Sequence, residues 1–115
     1  MSSEGFSVSP DETLLWSAFA TRQKSRWRGI GGNLVLTDRH LAFVPHFLER
    51  FLRHVPMVWT LDQIDEVSIQ RRGSDLPAGI RNRLRIRSGA ESEVFLVNHL
   101  NDVVDRISTA VTQSR

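Results

Sequence analysis

The sequence predicts a mainly β fold of the α+β class: seven short strands in a bent β-sandwich or partly open barrel, capped by a C-terminal helix. Two observations lead to this prediction. Short runs alternate apolar with polar residues, and Gly, Pro, Asn or Asp separates most of them, as is typical of strands. The last run instead has helical spacing. Because one helix cannot cover both faces of a flat seven-stranded sheet, the sheet is expected to fold over on itself.

The first half of the chain predicts three strands. Residues 13–24 alternate and contain two large aromatic residues, so a strand fits, although this segment alone leaves a short helix open. Residues 33–37 and 41–44 predict a hairpin, because the Thr37–His40 segment has the composition of a tight turn.

Between Pro45 and Pro56 the apolar residues change to helical spacing. We expect a short amphipathic helix over residues 46–55, between strands three and four. Its apolar stripe would either dock on the edge of the sandwich or face outward as a membrane or partner contact. The candidate contact residues are Phe47, Leu48, Arg50, Phe51 and Arg53.

The second half predicts four strands and the terminal helix. Strand character is present at residues 57–61, 64–70, 81–87 and 93–97, with a loop at 71–79 and a turn at 88–91. An apolar face with helical spacing follows, and either Asn98 or Asn101 is expected to be its N-cap. The residues of that face are Leu100, Val103, Val104, Ile107 and Val111.

Length and composition predict a single domain, and we expect it in the cytoplasm. The 115 residues suffice for a single domain, predicted over residues 11–113 after a flexible arm at 1–10. The chain has no cysteine, which excludes disulfides and cysteine-ligated zinc. It has no apolar run of the roughly 20 residues that span a bilayer, and its N-terminus does not resemble a signal peptide.

No pattern indicates an enzyme. The chain lacks a nucleophile motif, and its single Gly-x-Gly has neither a third glycine nor a following helix. The four histidines, His40, His46, His54 and His99, lack metal-ligand spacing and are expected to be ordinary surface residues. We therefore expect no catalytic residue, no metal site and no cofactor.

One stretch of the sequence resembles the GRAM domain, a branch of the pleckstrin-homology-like superfold. The resemblance is carried by residues 32–45 (GNLVLTDRHLAFVP), followed by Trp59-Thr60-Leu61, then Leu84-Arg85-Ile86, and Phe95. It extends over about residues 12–112. It implies a β-sandwich closed by the C-terminal helix, and a role in binding membrane lipids or proteins.

Positive charge concentrates in two segments, although the net charge is only +2. The first contains Lys24, Arg26 and Arg28, which are similar to the basic pattern of phosphoinositide-binding pleckstrin-homology domains. Alternate residues on a strand share a face, so their side chains could converge on phosphate oxygens. Arg71 and Arg72 are expected to join this basic face. The alternative is a solvated arginine surface without a binding role.

The second segment places arginine at positions 81, 83, 85 and 87 of one predicted strand. Like charges at this spacing repel, so a ladder of ion pairs with acidic neighbours is one interpretation. The other is an anion-binding face with Arg81 and Arg83 as candidates. Nucleic acid is disfavoured because exposed aromatic residues do not interleave with the arginines. The candidate acidic neighbours are Asp65, Glu66, Glu91 and Glu93.

Together these features predict a non-catalytic binding module. It would dock peripherally, through its basic face, on anionic membrane lipid at the inner membrane face or on an acidic protein surface. The alternative is a protein–protein or self-association module, including a homo-oligomer, that uses the stripe of the 46–55 helix or a strand edge.

Overall fold

The computed structural model describes residues 9–25, 28–46, 56–70 and 82–114, without the side chains of Lys24, Ser25 and Arg28. A 3₁₀ turn, Leu61–Gln63, connects the fourth and fifth strands. The strands and the helix are β1 Leu14–Ser25, β2 Arg28–Thr37, β3 His40–Pro45, β4 Met57–Thr60, β5 Glu66–Gln70, β6 Arg83–Ser88, β7 Glu91–Val97 and α1 Leu100–Gln113.

All seven strands belong to one antiparallel sheet in the order β4-β3-β2-β1-β7-β6-β5. Within the described ranges β4 and β5 end this order, and the sheet does not close. The long β1 joins the two halves, since it pairs with β2 over most of its length and with β7 only from Ala20 to Arg22. This architecture confirms the bent, partly open β-sandwich with a terminal helix.

One face of the sheet forms the core. The register aligns the buried side chains of successive strands: Leu34 lies opposite Phe43, and Leu84 opposite Phe95. The Phe43 and Phe95 rings, from the two halves, pack with centroids 5.2 Å apart. Helix α1 covers the end of this core next to β5 and β6. It contributes Val103, Ile107, Ala110 and Val111.

Gly32 lets β2 and β3 approach each other closely. A Cβ atom at this position would lie 2.8 Å from Phe43 Cζ and 2.9 Å from Pro45 Cα, and it would also meet the Val44 carbonyl oxygen. Because backbone atoms cannot move aside as a flexible side chain can, only glycine fits here.

The predicted Asn cap of α1 is wrong: the N-cap is His99, in the left-handed conformation with φ 55° and with no side-chain cap hydrogen bond. The chain turns sharply between Val97 and Leu100, and the left-handed residue makes that turn. The predicted 46–55 helix lies outside the described residues except for His46. No described helix is long and apolar enough to cross a bilayer.

Candidate anion-binding surfaces

The first basic candidate lies where β1 passes into β2. Ser25, the last residue of β1, pairs with Arg28, the first residue of β2, so only residues 26 and 27 separate the two paired positions. The backbones of Lys24 and Arg28 therefore lie at the paired end of this hairpin. Their side chains, and the whole of Arg26, lie outside the described residues.

Arg22, two positions before Lys24, forms an ion pair with Glu93. Its Nε donates to Glu93 Oε1 at 2.7 Å and its Nη2 donates to Glu93 Oε2 at 3.3 Å. Arg22 is opposite Phe95 in the register and so lies on the inner face, where the pair is largely shielded from water. Nothing local in the sequence signals this pair, because its partners are 71 residues apart.

The second basic candidate is the outer face of β6. Arg83, Arg85 and Arg87 alternate with the buried Leu84 and Ile86, so the three arginines share the face that points away from the core. Only the last has acidic partners among the described residues. Its Nη1 lies 3.8 Å from Asp65 Oδ2, and its Nε lies 3.8 Å from Glu66 Oε1. Among the described arginines of this strand, the predicted ladder of ion pairs is therefore limited to Arg87.

Arg83 and Arg85 have no carboxylate within 4.0 Å in the described part of the chain. Arg85 donates from Nη2 to Ser92 Oγ at 3.2 Å, a neutral acceptor. Arg83 is only 4% exposed, and its Nε is buried without a hydrogen-bond acceptor. An unsatisfied buried donor costs about 1–3 kcal/mol, and more when it is charged.

Gln23 extends this surface onto β1. It follows Arg22, which points inward, so the alternation of side chains places Gln23 on the outward face. Arg22 and Phe95 are the last pair between β1 and β7, and Val94, the residue before Phe95, is opposite Arg85 on β6. The Gln23 Oε1 is also buried without a donor. We call Gln23, Arg83 and Arg85 the β6 outer patch. Two guanidinium groups and an amide thus share one surface, while the acidic Glu93 points to the other side of the sheet.

The remaining sequence candidates lie outside the described residues. They comprise three arginines of the 71–81 segment and five residues of the 46–55 segment: Arg71, Arg72, Arg81, Phe47, Leu48, Arg50, Phe51 and Arg53.

A buried polar network ties the start of β1 to the β2–β3 turn. Glu12 Oε2 accepts hydrogen bonds from Thr37 Oγ1 at 2.5 Å and from His40 Nδ1 at 2.8 Å. Glu12 Oε1 accepts from the Ser9 backbone N–H at 3.1 Å, and the Thr37 hydroxyl accepts from the Arg39 and His40 backbone N–H groups. Sequence reasoning identified the turn but missed Glu12, which no local pattern distinguishes from a surface glutamate.

The hydrogen bonds determine the ionisation of Glu12. Burial acts to raise its pKa, but the bonds from His40, Thr37 and Ser9 outweigh burial and lower the pKa from 4.5 to about 2. The carboxylate is therefore charged at neutral pH, and both of its oxygens accept hydrogen bonds. The Thr37 hydroxyl donates its hydrogen bond to Glu12. This is the arrangement of a structural brace. No group of three or more metal-ligating side chains occurs among the described residues.

Apolar side chains are also exposed on the β1–β4 half. Phe19 is 52% exposed and Val58, on the edge strand β4, is 41% exposed. A cavity of about 310 Å³ opens between the start of β1 and the last turns of α1, lined by Leu15, Trp16 and Ala110 among others.

No protein family model matches the sequence, and no curated protein matches it. Solved structures do. The Vps36 N-terminal PH domain is similar with a TM-score of 0.64 at 11% identity, over 97% of this chain and 90% of that one. The hSac2 domain of the human phosphoinositide phosphatase Sac2 gives 0.61 at 11%, over 93% and 72%.

The DH/PH domain of human ARHGEF11, crystallised with human RhoA and its inhibitor, gives a TM-score of 0.64 at 13% identity. The match spans 89% of this chain but about 30% of that longer chain. At such identities the likeness concerns the fold and leaves the narrower GRAM assignment a prediction. The likeness to these structures establishes that this chain, with its seven-stranded sheet and terminal helix, has the pleckstrin-homology-like fold.

Proposed function

We propose that this chain is a non-catalytic binding module that docks on an anionic membrane surface through the β1–β2 hairpin end, Lys24 to Arg28, joined by Arg71 and Arg72. One observation carries the proposal. The pairing of Ser25 with Arg28 confines three basic residues to five positions at the end of a hairpin. Among the described residues, Glu93 on the neighbouring β7 is already paired, since both of its oxygens accept hydrogen bonds from Arg22.

Such docking is electrostatic. A basic residue near an anionic membrane contributes about 1 kcal/mol, so binding needs several residues to act together. Salt screens exposed charges over about 8–10 Å at physiological ionic strength, so affinity should fall steeply as salt rises. The proposed place of action is the cytoplasmic side of the membrane, where anionic lipid concentrates.

Co-sedimentation with vesicles of graded phosphatidylserine content, at low and at physiological salt, tests the proposal. We expect binding that rises with phosphatidylserine and falls with salt. The double variant Arg26→Glu with Arg28→Glu should abolish it, because reversal changes the local charge by four units.

A charge-matched control separates a local surface from overall charge. Arg39→Glu with Arg106→Glu makes the same change in net charge at the β2–β3 turn and on α1. The control should retain most of the binding. Equal losses in the two double variants, or absence of binding by the parent protein at low salt, would exclude hairpin docking.

A second candidate is self-association or protein binding through the β4 edge. It is favoured by the position of β4 at the end of the described strand order and by the exposed Val58. Light scattering at increasing concentration should then show a dimer that survives high salt. Val58→Lys should dissociate it, whereas the hairpin double variant should not.

A further inference from the structure

We propose that the β6 outer patch is a binding site for a phosphate monoester, held by the guanidinium groups of Arg83 and Arg85. The observations behind this site are independent of the hairpin proposal. They concern side chains that the structure describes and a charge imbalance on a different strand.

The imbalance is visible within one strand. Arg87, Arg85 and Arg83 occupy equivalent outward positions on β6, yet only Arg87 has carboxylates beside it among the described residues. The least exposed of the three, Arg83, has the least compensation: its Nε is buried with no acceptor. Burying a charged donor without a partner is unfavourable, so Arg83 calls for an acceptor, and an anion is the acceptor that would also compensate its charge.

The spacing and charge of the patch fit a phosphate monoester. Residues i and i+2 of a strand are about 7 Å apart on one face, so two long guanidinium side chains can converge on one tetrahedral anion. A monoester carries about −1.5 to −2 at neutral pH and offers three terminal oxygens, which matches two uncompensated positive charges. Arginine is suited to this role because its planar donors bind two phosphate oxygens at once.

Gln23 adds a polar group of the complementary kind. Its buried Oε1 has no donor and lies in the outer row that contains Arg85. Because β7 lies between β1 and β6, this acceptor would receive a hydroxyl group of the ligand at a distance from the phosphate, on the same face of the sheet. The patch is thus built for a phosphate carried on a hydroxylated group, whether a lipid headgroup or a soluble metabolite.

The arginine Nε–Hε signals in ¹H–¹⁵N NMR spectra of the full chain report on the site directly. Titration with inorganic phosphate should shift the Arg83 and Arg85 signals saturably and leave Arg87 nearly unchanged. Glycerol 3-phosphate should bind more tightly than inorganic phosphate if the Gln23 oxygen receives a hydroxyl. Absence of a saturable shift at Arg83 and Arg85 with both probes would overturn the proposal.

Two variants and a matched control test the residues. Arg83→Gln and Arg85→Gln should each weaken phosphate binding about tenfold, the loss expected for one charge-assisted hydrogen bond. Arg87→Gln removes the same charge from the same strand face and should change binding less than twofold. A loss at Arg87 equal to that at Arg85 would show general charge attraction and overturn the site. Arg85→Gln keeps this test decisive if Arg83→Gln fails to fold.

Vesicles distinguish the two sources of phosphate. Phosphatidic acid presents a monoester at the surface, whereas phosphatidylserine at equal surface charge presents a diester and a carboxylate. Stronger binding to phosphatidic acid, lost in Arg85→Gln, indicates a lipid headgroup. Equal vesicle binding combined with a saturable glycerol 3-phosphate shift indicates a soluble ligand.

The hairpin variant separates this site from hairpin docking. Arg26→Glu with Arg28→Glu should abolish co-sedimentation with phosphatidylserine but leave the inorganic phosphate shifts in place. If the shifts also disappear while the variant remains folded, the β6 outer patch is not a separate site. If phosphatidylserine binding fails in the parent protein but the shifts occur, hairpin docking is excluded and the patch stands.

Discussion

Two buried charges in this small domain have opposite surroundings. Glu12 is 9% exposed and accepts hydrogen bonds from a hydroxyl, an imidazole and a backbone amide. Arg83 is 4% exposed, and its Nε has no acceptor in the part of the chain that the structure describes. Glu12 connects the start of β1 to the β2–β3 turn, whereas Arg83 connects nothing that the structure describes. A buried charge with a full set of partners is well accommodated in the fold, whereas one without described partners costs stability, and this cost is the basis of the phosphate proposal.

The largest effect is expected at Glu12. Glu12→Gln keeps the shape but replaces an anion by an amide, whose NH₂ group cannot accept the bonds that one carboxylate oxygen accepts. Hydrogen bonds to a charged group contribute about 1.5–3 kcal/mol, so we expect the free energy of unfolding to fall by about 2 kcal/mol. The measurement is the urea midpoint at neutral pH, and an unchanged midpoint would show that the brace is dispensable.

The same brace predicts the acid dependence of stability. The pKa of Glu12 is about 2 in the folded chain against an ordinary value of 4.5. A lowered folded-state pKa stabilises the protein fully above the unfolded-state pKa, and this contribution is lost as the pH falls toward the folded-state pKa. We therefore expect the urea midpoint to fall between about pH 5 and pH 2.

Glu12→Gln provides the control for that acid dependence. The variant has no proton to gain at position 12, so its urea midpoint should depend less on pH across the same range. Parallel curves for the parent protein and the variant would assign the acid sensitivity to other carboxylates.

Arg83 should give a change of the opposite sign. Arg83→Met keeps most of the length of the side chain while removing a buried charge without a partner, so the free energy of unfolding should rise by about 1 kcal/mol. Such stabilisation by loss of a charged residue is characteristic of binding sites. Thermal unfolding in a phosphate-free buffer measures it, and destabilisation equal to that of Glu12→Gln would make Arg83 structural.

Added phosphate should make the parent protein more stable than Arg83→Met, the reverse of their order in phosphate-free buffer. A ligand that binds only the folded state raises stability in proportion to the logarithm of its concentration above Kd. The parent protein should therefore gain thermal stability with phosphate, whereas Arg83→Met should not. Arg87→Met, which loses carboxylate partners, serves as the comparison on the same strand.

The sequence predicts the strands better than it predicts the surroundings of Glu12 and Arg83. Alternation and turn residues are local, so the seven strands, the Thr37–His40 turn and the terminal helix could be read from them. The strand boundaries agree within two residues except at β2, which begins at Arg28 and not at residue 33, because glycines interrupt the apolar pattern there. Partners such as Glu12 with His40, or Arg22 with Glu93, are 28 and 71 residues apart. They meet only because the register of the sheet brings them together, and no local pattern specifies that register.

The arginines of β6 show the same limit within one strand. Their alternation with Leu84 and Ile86 predicts a shared face, and the structure has it. The residue opposite each arginine on β5 decides whether its charge has an acidic partner. Glu66 lies opposite Arg87, whereas Ser68 and Gln70 lie opposite Arg85 and Arg83. Three arginines in one repeating pattern therefore have different surroundings, because the residues opposite them on β5 differ.

The smallest effects are expected at the exposed ion pairs, although their distances are as short as those of the buried network. Arg39 Nη1 lies 2.8 Å from Asp11 Oδ2, and Arg106 Nε lies 2.8 Å from Asp102 Oδ2, with each of the four side chains about half exposed or more. Exposed pairs contribute about 0.2–1 kcal/mol, because water and salt already solvate both charges.

Arg39→Gln and Arg106→Gln should therefore each change the free energy of unfolding by less than about 0.5 kcal/mol, and less still in high salt. Urea midpoints at two salt concentrations test this. A loss at Arg39 comparable to that of Glu12→Gln would mean that the whole β2–β3 turn acts as one brace. A small effect at both positions shows instead that burial, not distance, decides which charges hold this fold, and it leaves both arginines suitable as charge-reversal controls for the hairpin.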